Sequence, residues 1–283
     1  MTAYADLHMH SLRSDGMHRP AELPEMAARA GLAAIALTDH DTMAGVEEAA
    51  EAGERIGIEV VPGVEISTAD GGQDIHVLGY FVDPSDPLLR ARLESQRDVR
   101  KARNRLMIEA LRAHGVDITL EEVAELAARS GKSADNLGRP HIADCLVHKG
   151  YAAGRADAFD RWIGKGAPAY VLPPRIAPEE AVDWIREAGG AAVLAHPGLY
   201  GDEPLVERLI AYGLDGIEAY HSDHTPEQER AYAALAERHG LVATAGSDFH
   251  GSRGGEAVFH GPVGHRRTPV DTIKRLRERI RRL

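Results

Sequence analysis

Histidine is the residue to locate first, because imidazole is the commonest metal ligand and titrates near neutral pH. The chain has fifteen in 283 residues. The first group reads Asp6-Leu7-His8-Met9-His10, with Asp15 after a Ser/Arg turn. Side chains of an extended chain alternate with period two, so His8 and His10 point the same way and are spaced to grip one divalent ion. Similar clusters follow: Thr38-Asp39-His40-Asp41, Gly63-Val64-Glu65-Ile66-Ser67, His76, Ala195-His196-Pro197, Glu218-Ala219-Tyr220-His221 and Ser247-Asp248-Phe249-His250. Any one of these histidines has a plain reading as a packed side chain. Their convergence with carboxylates is harder to explain by packing, since unpaired buried charge is costly and bound cations compensate it.

The other histidines take the plainer reading. His114 and His239 each precede a glycine at a helix end, where an imidazole faces the last carbonyls. His18, His224, His260 and His265 lie in polar loops and are given no role, and His148 reads as a helix-surface residue.

The elements that must position the clusters are legible as short apolar runs: Tyr4–Leu7, Ala33–Leu37, Glu59–Val64, Ile75–Val82, Ala191–Ala195, Gly216–Ala219 and Leu241–Ala245. Runs this short and this apolar suit strands buried on both faces, as in a parallel sheet. Helix-period segments alternate with them at Pro20–Ala30, Gly45–Ile56, Pro178–Ala188, Glu203–Tyr212 and Pro226–His239. Their expected stops are Gly31, Gly57, Gly189, Gly213 and Gly240. The alternation predicts a barrel-like α/β fold of about seven strands, with the clusters at or near the C-terminal strand ends where such barrels carry their sites. His76, which opens its run, is the exception by position.

From about Asp86 to Arg175 the alternation stops. Leu88–His114 reads as a long basic helix, followed by Thr119–Arg129, Arg139–Lys149 and Arg155–Ile163, with Thr119 and Glu122 spaced as a capping box. The expected organisation is a barrel from 1–85 and 176–283, with 86–175 as a helical insertion over the active-site end. The basic tail Asp271–Leu283 reads as a solvated last helix.

Composition narrows the class. The chain is 43% apolar and 27% charged, with net charge −11 and a single cysteine, Cys145. That is too apolar for disorder and too acidic to favour general coating of nucleic acid. One cysteine forms no internal disulfide and suits a reducing cytoplasm, the expected location. The start MTAYADLHMHS lacks the pattern of a secretion signal, and no apolar run is long enough for a membrane helix. Neither a membrane nor an obligate protein partner is expected.

With these residues in hand, the sequence resembles the PHP (polymerase and histidinol phosphatase) family. The matching motifs are DLHMHSLRSDG at 6–16, LTDHDT at 37–42, GVEIS at 63–67, AHP at 195–197 and GSDFHG at 246–251. The resemblance implies a distorted (β/α)7 TIM-like barrel and two or three divalent metals. Carried over by motif, His8, His10, Glu65 and Asp248 hold the first metal, and Asp15, His40 and His250 the second. His76 and His196 hold the third, with Glu65 bridging. Some relatives place His where this chain has Asp15. A carboxylate there leans the expected metal toward manganese, with iron and zinc as alternatives.

Within the insertion, Gly138-Arg139-Pro140-His141-Ile142-Ala143 resembles the GRPHIA motif of a PHP subgroup. That subgroup includes a phosphatase of nucleoside 3′,5′-bisphosphates and 5′-to-3′ trimming enzymes for short RNA. The expected activity is therefore metal-dependent hydrolysis of a nucleotide 3′-phosphate by metal-hydroxide attack on phosphorus. Asp15, His40, Glu65, Asp248 and His221 are the catalytic candidates. Lys132, Asn136, Arg139, His141 and His221 are the substrate-binding ones, Arg139 as a phosphate clamp. His221 is alternatively the donor of a proton to the leaving oxygen. Competing readings are an exoribonuclease on short RNA, a histidinol phosphatase, an amide or deaminating hydrolase, and a non-catalytic metal-binding module. An open stacking groove marks the first, and aromatic residues are only 5% of the chain. Neutral amide substrates do not require the surrounding Arg and Lys, and missing ligands mark the non-catalytic module.

Overall fold

Eight strands share one sheet, in the order β10-β1-β2-β3-β4-β5-β6-β7. The computed structural model describes residues 2–129, 136–253, 256–257 and 259–280. β1 (Tyr4–Asp6), β2 (Ala34–Leu37) and β3 (Glu59–Asp70) are parallel. β4 (Gln73–Tyr80) runs antiparallel to both β3 and β5 (Ala191–Leu194). Parallel pairing resumes through β6 (Gly216–His221) and β7 (Val242–Gly246). The barrel nearly closes where the Leu7 amide donates to the Ala245 carbonyl at 3.0 Å. A small hairpin, β8 (Ser252–Arg253) and β9 (Glu256–Ala257), follows. β10 (Thr268–Pro269) then pairs antiparallel with β1.

The reversed β4 corrects the expectation of an all-parallel sheet, and local chemistry explains it. Asp70 and Gln73 pair across Gly71 and Gly72, whose φ angles are +54° and +82°. Two central residues with positive φ make the two-residue turn whose twist matches a hairpin. Only glycine takes that pair of conformations without steric cost.

The helices fall where periodicity places them: α1 (Glu22–Arg29), α2 (Val46–Ile56), α3 (Pro87–Ala113), α4 (Leu120–Arg129), α5 (Arg139–His148), α6 (Arg155–Ala158), α7 (Pro178–Glu187), α8 (Glu203–Tyr212), α9 (Pro226–Arg238) and α10 (Asp271–Ile280). α6 runs on into a π-helical turn, Phe159–Ile163. The glycine stops expected after five of these helices all have positive φ.

Barrel strand residues sort by period two. Ala5, Ala36, Val61, Leu78, Tyr80, Val193 and Val242 form the inner cluster, joined by Ile273 and Leu276 of α10. Their neighbours face the helices: Ile35 and Leu37 pack with Leu23, Ala27 and Ala49, while Val77, Leu194 and Ile217 pack with Val182, Ile185 and Leu209. Each fully buried Val, Leu or Ile contributes about 1.5–3 kcal/mol. The last helix is thus not merely solvated: its apolar stripe is buried, while its cations stay outside that stripe.

The described chain separates into two compact units, 1–93 with 176–283, and 94–175. The second has its own core, including Met107, Leu111, Ile118, Val123, Ile142 and Leu146. Its α4 carries the expected capping box: the Glu122 amide donates to Thr119 Oγ1 at 3.2 Å, and the Thr119 amide to Glu122 Oε2 at 2.9 Å.

Candidate metal centre

One end of the barrel collects the clusters. His8 and His10 leave β1, His40 follows β2, Glu65 lies in β3, His196 follows β5, and Asp248 and His250 follow β7. Because β4 is reversed, the early position of His76 in its strand is at this same end, paired across from Ser67. The positional anomaly in the sequence is the hairpin seen from the wrong direction.

Glu65 is central. Its Oε2 lies 3.4 Å from His8 Nε2, 3.2 Å from His10 Nε2 and 3.0 Å from His40 Nδ1. Its Oε1 lies 2.8 Å from His76 Nδ1 and 3.1 Å from His196 Nε2. Asp248 Oδ1 faces the same two nitrogens of His8 and His10 at 3.3 and 3.0 Å. Asp15 closes the second group, 3.3 Å from His250 Nε2 and 3.8 Å from His40 Nε2. The nine residues carried over by motif therefore stand around one centre.

A supporting layer fixes which ring atoms face inward. Glu218 Oε1 and Oε2 lie 3.0 and 3.2 Å from His8 Nδ1, which puts the ring proton on Nδ1 and leaves Nε2 for a cation. His250 Nδ1 likewise donates to the Asp248 carbonyl at 2.8 Å. His221 is held the other way round. Its Nδ1 accepts the Asp223 amide at 3.1 Å, so Nε2 carries the hydrogen and donates to Asp248 Oδ2 at 3.2 Å. Asp39 accepts from the Ser11 amide and from the hydroxyls of Ser11 and Ser14, pinning the turn before Asp15. Backbone strain gathers here: His196 and Asp248 both have positive φ, +28° and +53°. Such conformations cost on the order of 1–3 kcal/mol and persist only where surroundings over-determine them. For His196 the restraint includes Glu218 Oε2, which accepts its amide at 2.9 Å.

The electrostatics follow from burying so many ionisable groups together. Burial opposes charge on His10, yet contact with Asp248 and Glu65 outweighs it and raises the imidazole to about 10. Burial dominates at His40 and His196, lowering both to about 4. Burial also works against the charged forms of Glu65, Asp248 and Asp15, but the surrounding imidazoles hold all three carboxyls well below their usual range.

The fit to metal is tested by atoms left over. His8 Nε2, His10 Nε2, Glu65 Oε2 and Asp248 Oδ1 are buried and make no hydrogen bond. Buried polar atoms are almost always satisfied, and these four converge within ligand distance of one another. A divalent ion satisfies them together. A model of the PHP domain matches residues 6–165. The chain belongs to the PHP family.

Relatives matched over most of the chain include enzymes of phosphate-ester hydrolysis. The chain is 40% identical over 264 residues to a 3′,5′-nucleoside bisphosphate phosphatase of Chromobacterium violaceum, covering 91% of each. It is 36% identical over 252 residues to a 5′-3′ exoribonuclease of Salmonella typhimurium, covering 87% of this chain and 84% of the relative. A solved structure from Bifidobacterium adolescentis, assigned as a metal-dependent phosphoesterase, superposes with a TM-score of 0.87. It is 34% identical and covers 96% of this chain and 94% of its own. The barrel is thus a PHP barrel, and relatives matched over most of its length include named phosphate-ester hydrolases. No described helix is long and apolar enough to cross a membrane.

The substrate-binding candidates of the insertion lie in the second unit. Arg139 stands over the rings of Phe159 and Tyr170, 5.9 Å from each centroid, and Asn136 is buried. His141 uses Nδ1 to accept the Gly138 amide at 2.8 Å, a capping role at the start of α5. Lys132 lies outside the described residues. Two residues of the centre were given no role from sequence. Glu218 belongs to the strand-end cluster that closes on His221, but that cluster gave it no role of its own. His260, read as a loop residue, stands 3.2 Å from Asp248 Oδ2. His224 is buried rather than loop-exposed, with Nδ1 donating to the Ala219 carbonyl and Nε2 accepting the Gly198 amide, which makes it structural.

Proposed function

We propose that this chain is a metal-dependent phosphatase that removes the 3′-phosphate of nucleoside 3′,5′-bisphosphates, for example adenosine 3′,5′-bisphosphate to AMP and phosphate. The observation that carries it is the set of buried, unbonded ligand atoms of His8, His10, Glu65 and Asp248, in a chain most of whose length matches a phosphatase of that substrate. In this reading His8, His10, Glu65 and Asp248 hold one ion, Asp15, His40 and His250 a second, and His76 and His196 a third. Glu65 bridges, its two oxygens facing different imidazoles. Asp15, a carboxylate where some relatives place His, hardens the donor set and favours manganese over zinc, with iron as the alternative. Divalent ions held there supply Lewis acidity toward phosphate oxygens and acidify water.

The protein's own groups do the rest. His221, whose Nε2 hydrogen rests on Asp248 Oδ2, is the ring beside that carboxylate that would share the hydrogen with a phosphate or leaving oxygen. Residues 86–175 form the substrate-recognition insertion. There Arg139, with Lys132 and Asn136, takes the second phosphate, and Phe159 and Tyr170 keep the guanidinium plane oriented. A single buried thiol and a small nucleotide substrate fit a cytoplasmic location.

A second reading, exoribonuclease action on short RNA, is favoured by the 36% identity to an enzyme of that activity. One screen separates the two. Manganese-loaded protein is offered adenosine 3′,5′-bisphosphate, 3′-AMP, 5′-AMP, histidinol phosphate and short RNA, and phosphate and mononucleotides are counted. The bisphosphate should turn over fastest. Mononucleotide release from RNA at comparable kcat/KM would replace the phosphatase reading with the second one. Arg139→Ala should raise KM for the bisphosphate about 10–100-fold with metal content unchanged, the cost of a lost charge-assisted contact.

A further inference from the structure

The two oxygens of Asp248 are employed differently. Oδ1 faces His8 and His10, while Oδ2 lies 3.2 Å from Nε2 of His221 and 3.2 Å from Nε2 of His260. His260 arrives from the segment after β9, and its Nδ1 meets the Asp223 carboxylate at 2.5 Å. Asp223 also donates its amide to His221 Nδ1 at 3.1 Å, so one residue ties down both imidazoles that flank Oδ2.

The backbone reports that this placement is enforced. His260 has φ +51° and Asp248 φ +53°, a region that residues with a Cβ rarely adopt. The adjoining Gly261 donates its amide to the Ser247 carbonyl at 3.2 Å. A Cβ on Gly261 would stand 2.2 Å from Ser222 Oγ, and Ser222 itself donates to the Ser247 carbonyl at 2.8 Å. The segment is pressed against the end of β7, and that contact brings the His260 ring to Asp248.

We infer that His260, anchored by Asp223, is a positioning residue for Asp248. With His221 it occupies Oδ2, and so keeps Oδ1 turned toward the ion held by His8, His10 and Glu65. This rests on the metal-centre reading above. Groups that bond to a ligand's far atom restrict its rotation and commonly account for 10–100-fold in metal affinity.

The test is the Mn²⁺ dissociation constant of the full chain, measured by competition with a chelator, for wild type, H260A, H260N and H260Q. A glutamine amide reaches the place of Nε2 and keeps a donor on Asp248. An asparagine amide reaches only the place of Nδ1, toward Asp223. H260A and H260N should weaken Mn²⁺ binding about 10–100-fold, and H260Q should stay within about threefold of wild type. H260A with wild-type affinity overturns the inference. So does H260Q as weak as H260A, because the imidazole is then needed for something other than its contact with Oδ2. Should H260A fail to fold, equal affinities of H260N and H260Q overturn it by themselves. A wild-type chain that binds no divalent ion overturns the metal centre instead.

Discussion

Glu65 is surrounded by five imidazoles, and their protons must leave if the same nitrogens are to hold ions. In the metal-free centre His10 keeps its proton up to about 10, because Asp248 and Glu65 outweigh its burial. His40 and His196, lowered to about 4 by burial, are already neutral near pH 7 and ready to ligate. A proton on His10 competes with the ion, and the competition fades as pH rises toward 10. Manganese affinity should therefore climb about tenfold per pH unit between pH 6.5 and 8.5 for each proton displaced. Calorimetry in buffers of different protonation enthalpy reads this directly, and a pH-independent dissociation constant with no proton release contradicts it. At this scale most of the motif residues stood out because they lie in polar clusters, His76 being the exception that opens an apolar run. Glu218 lay in such a cluster with His221 but was assigned no role, and His260 was hidden because its relevance depends on a fold-back that no local pattern encodes.

Elements were legible where a periodic signal was long and bounded. The helices end within a few residues of the glycines that stop them, and the strands of the barrel lie close to their apolar runs. The direction of β4 was not legible from apolarity, since a buried run reads alike in either direction. The cue was Gly71-Gly72, a hairpin dipeptide between two β-rich segments. β7 supplies a prediction about how tightly the elements hold the centre. A Cβ on Gly246 would stand 2.2 Å from His8 Cβ and 2.7 Å from Glu218 Oε1. Gly246→Ala should cost about 1–3 kcal/mol by overpacking and displace His8 from its carboxylates. Thermal denaturation should show the lost stability and elemental analysis the lost metal. A variant that keeps both at wild-type level would mean that β1 and β7 have slack the structure does not show.

At the scale of the molecule there are two units with separate cores, and the nine ligand candidates belong to the first. An ion that binds only the folded state stabilises by mass action, about 2.7 kcal/mol at a hundredfold excess over its dissociation constant. Scanning calorimetry should resolve two transitions, with chelator lowering that of the barrel unit and leaving the helical unit in place. Both moving equally would mean the units melt as one. The break in alternation begins at about Asp86, whereas the division between the two units falls within α3, at Leu93, where a continuous helix gives no signal. Asp6 carries a further consequence. One of its oxygens accepts the Ser247 amide and the other the Gly264 amide, both at 2.9 Å, across sequence separations of 241 and 258 residues. His8 and His10 therefore share one clasp with Asp248 only when β7 and the segment after it are in place, and a chain cut before Ser247 would keep its imidazoles and Glu65 but lose both anchors of Asp6 together with Asp248.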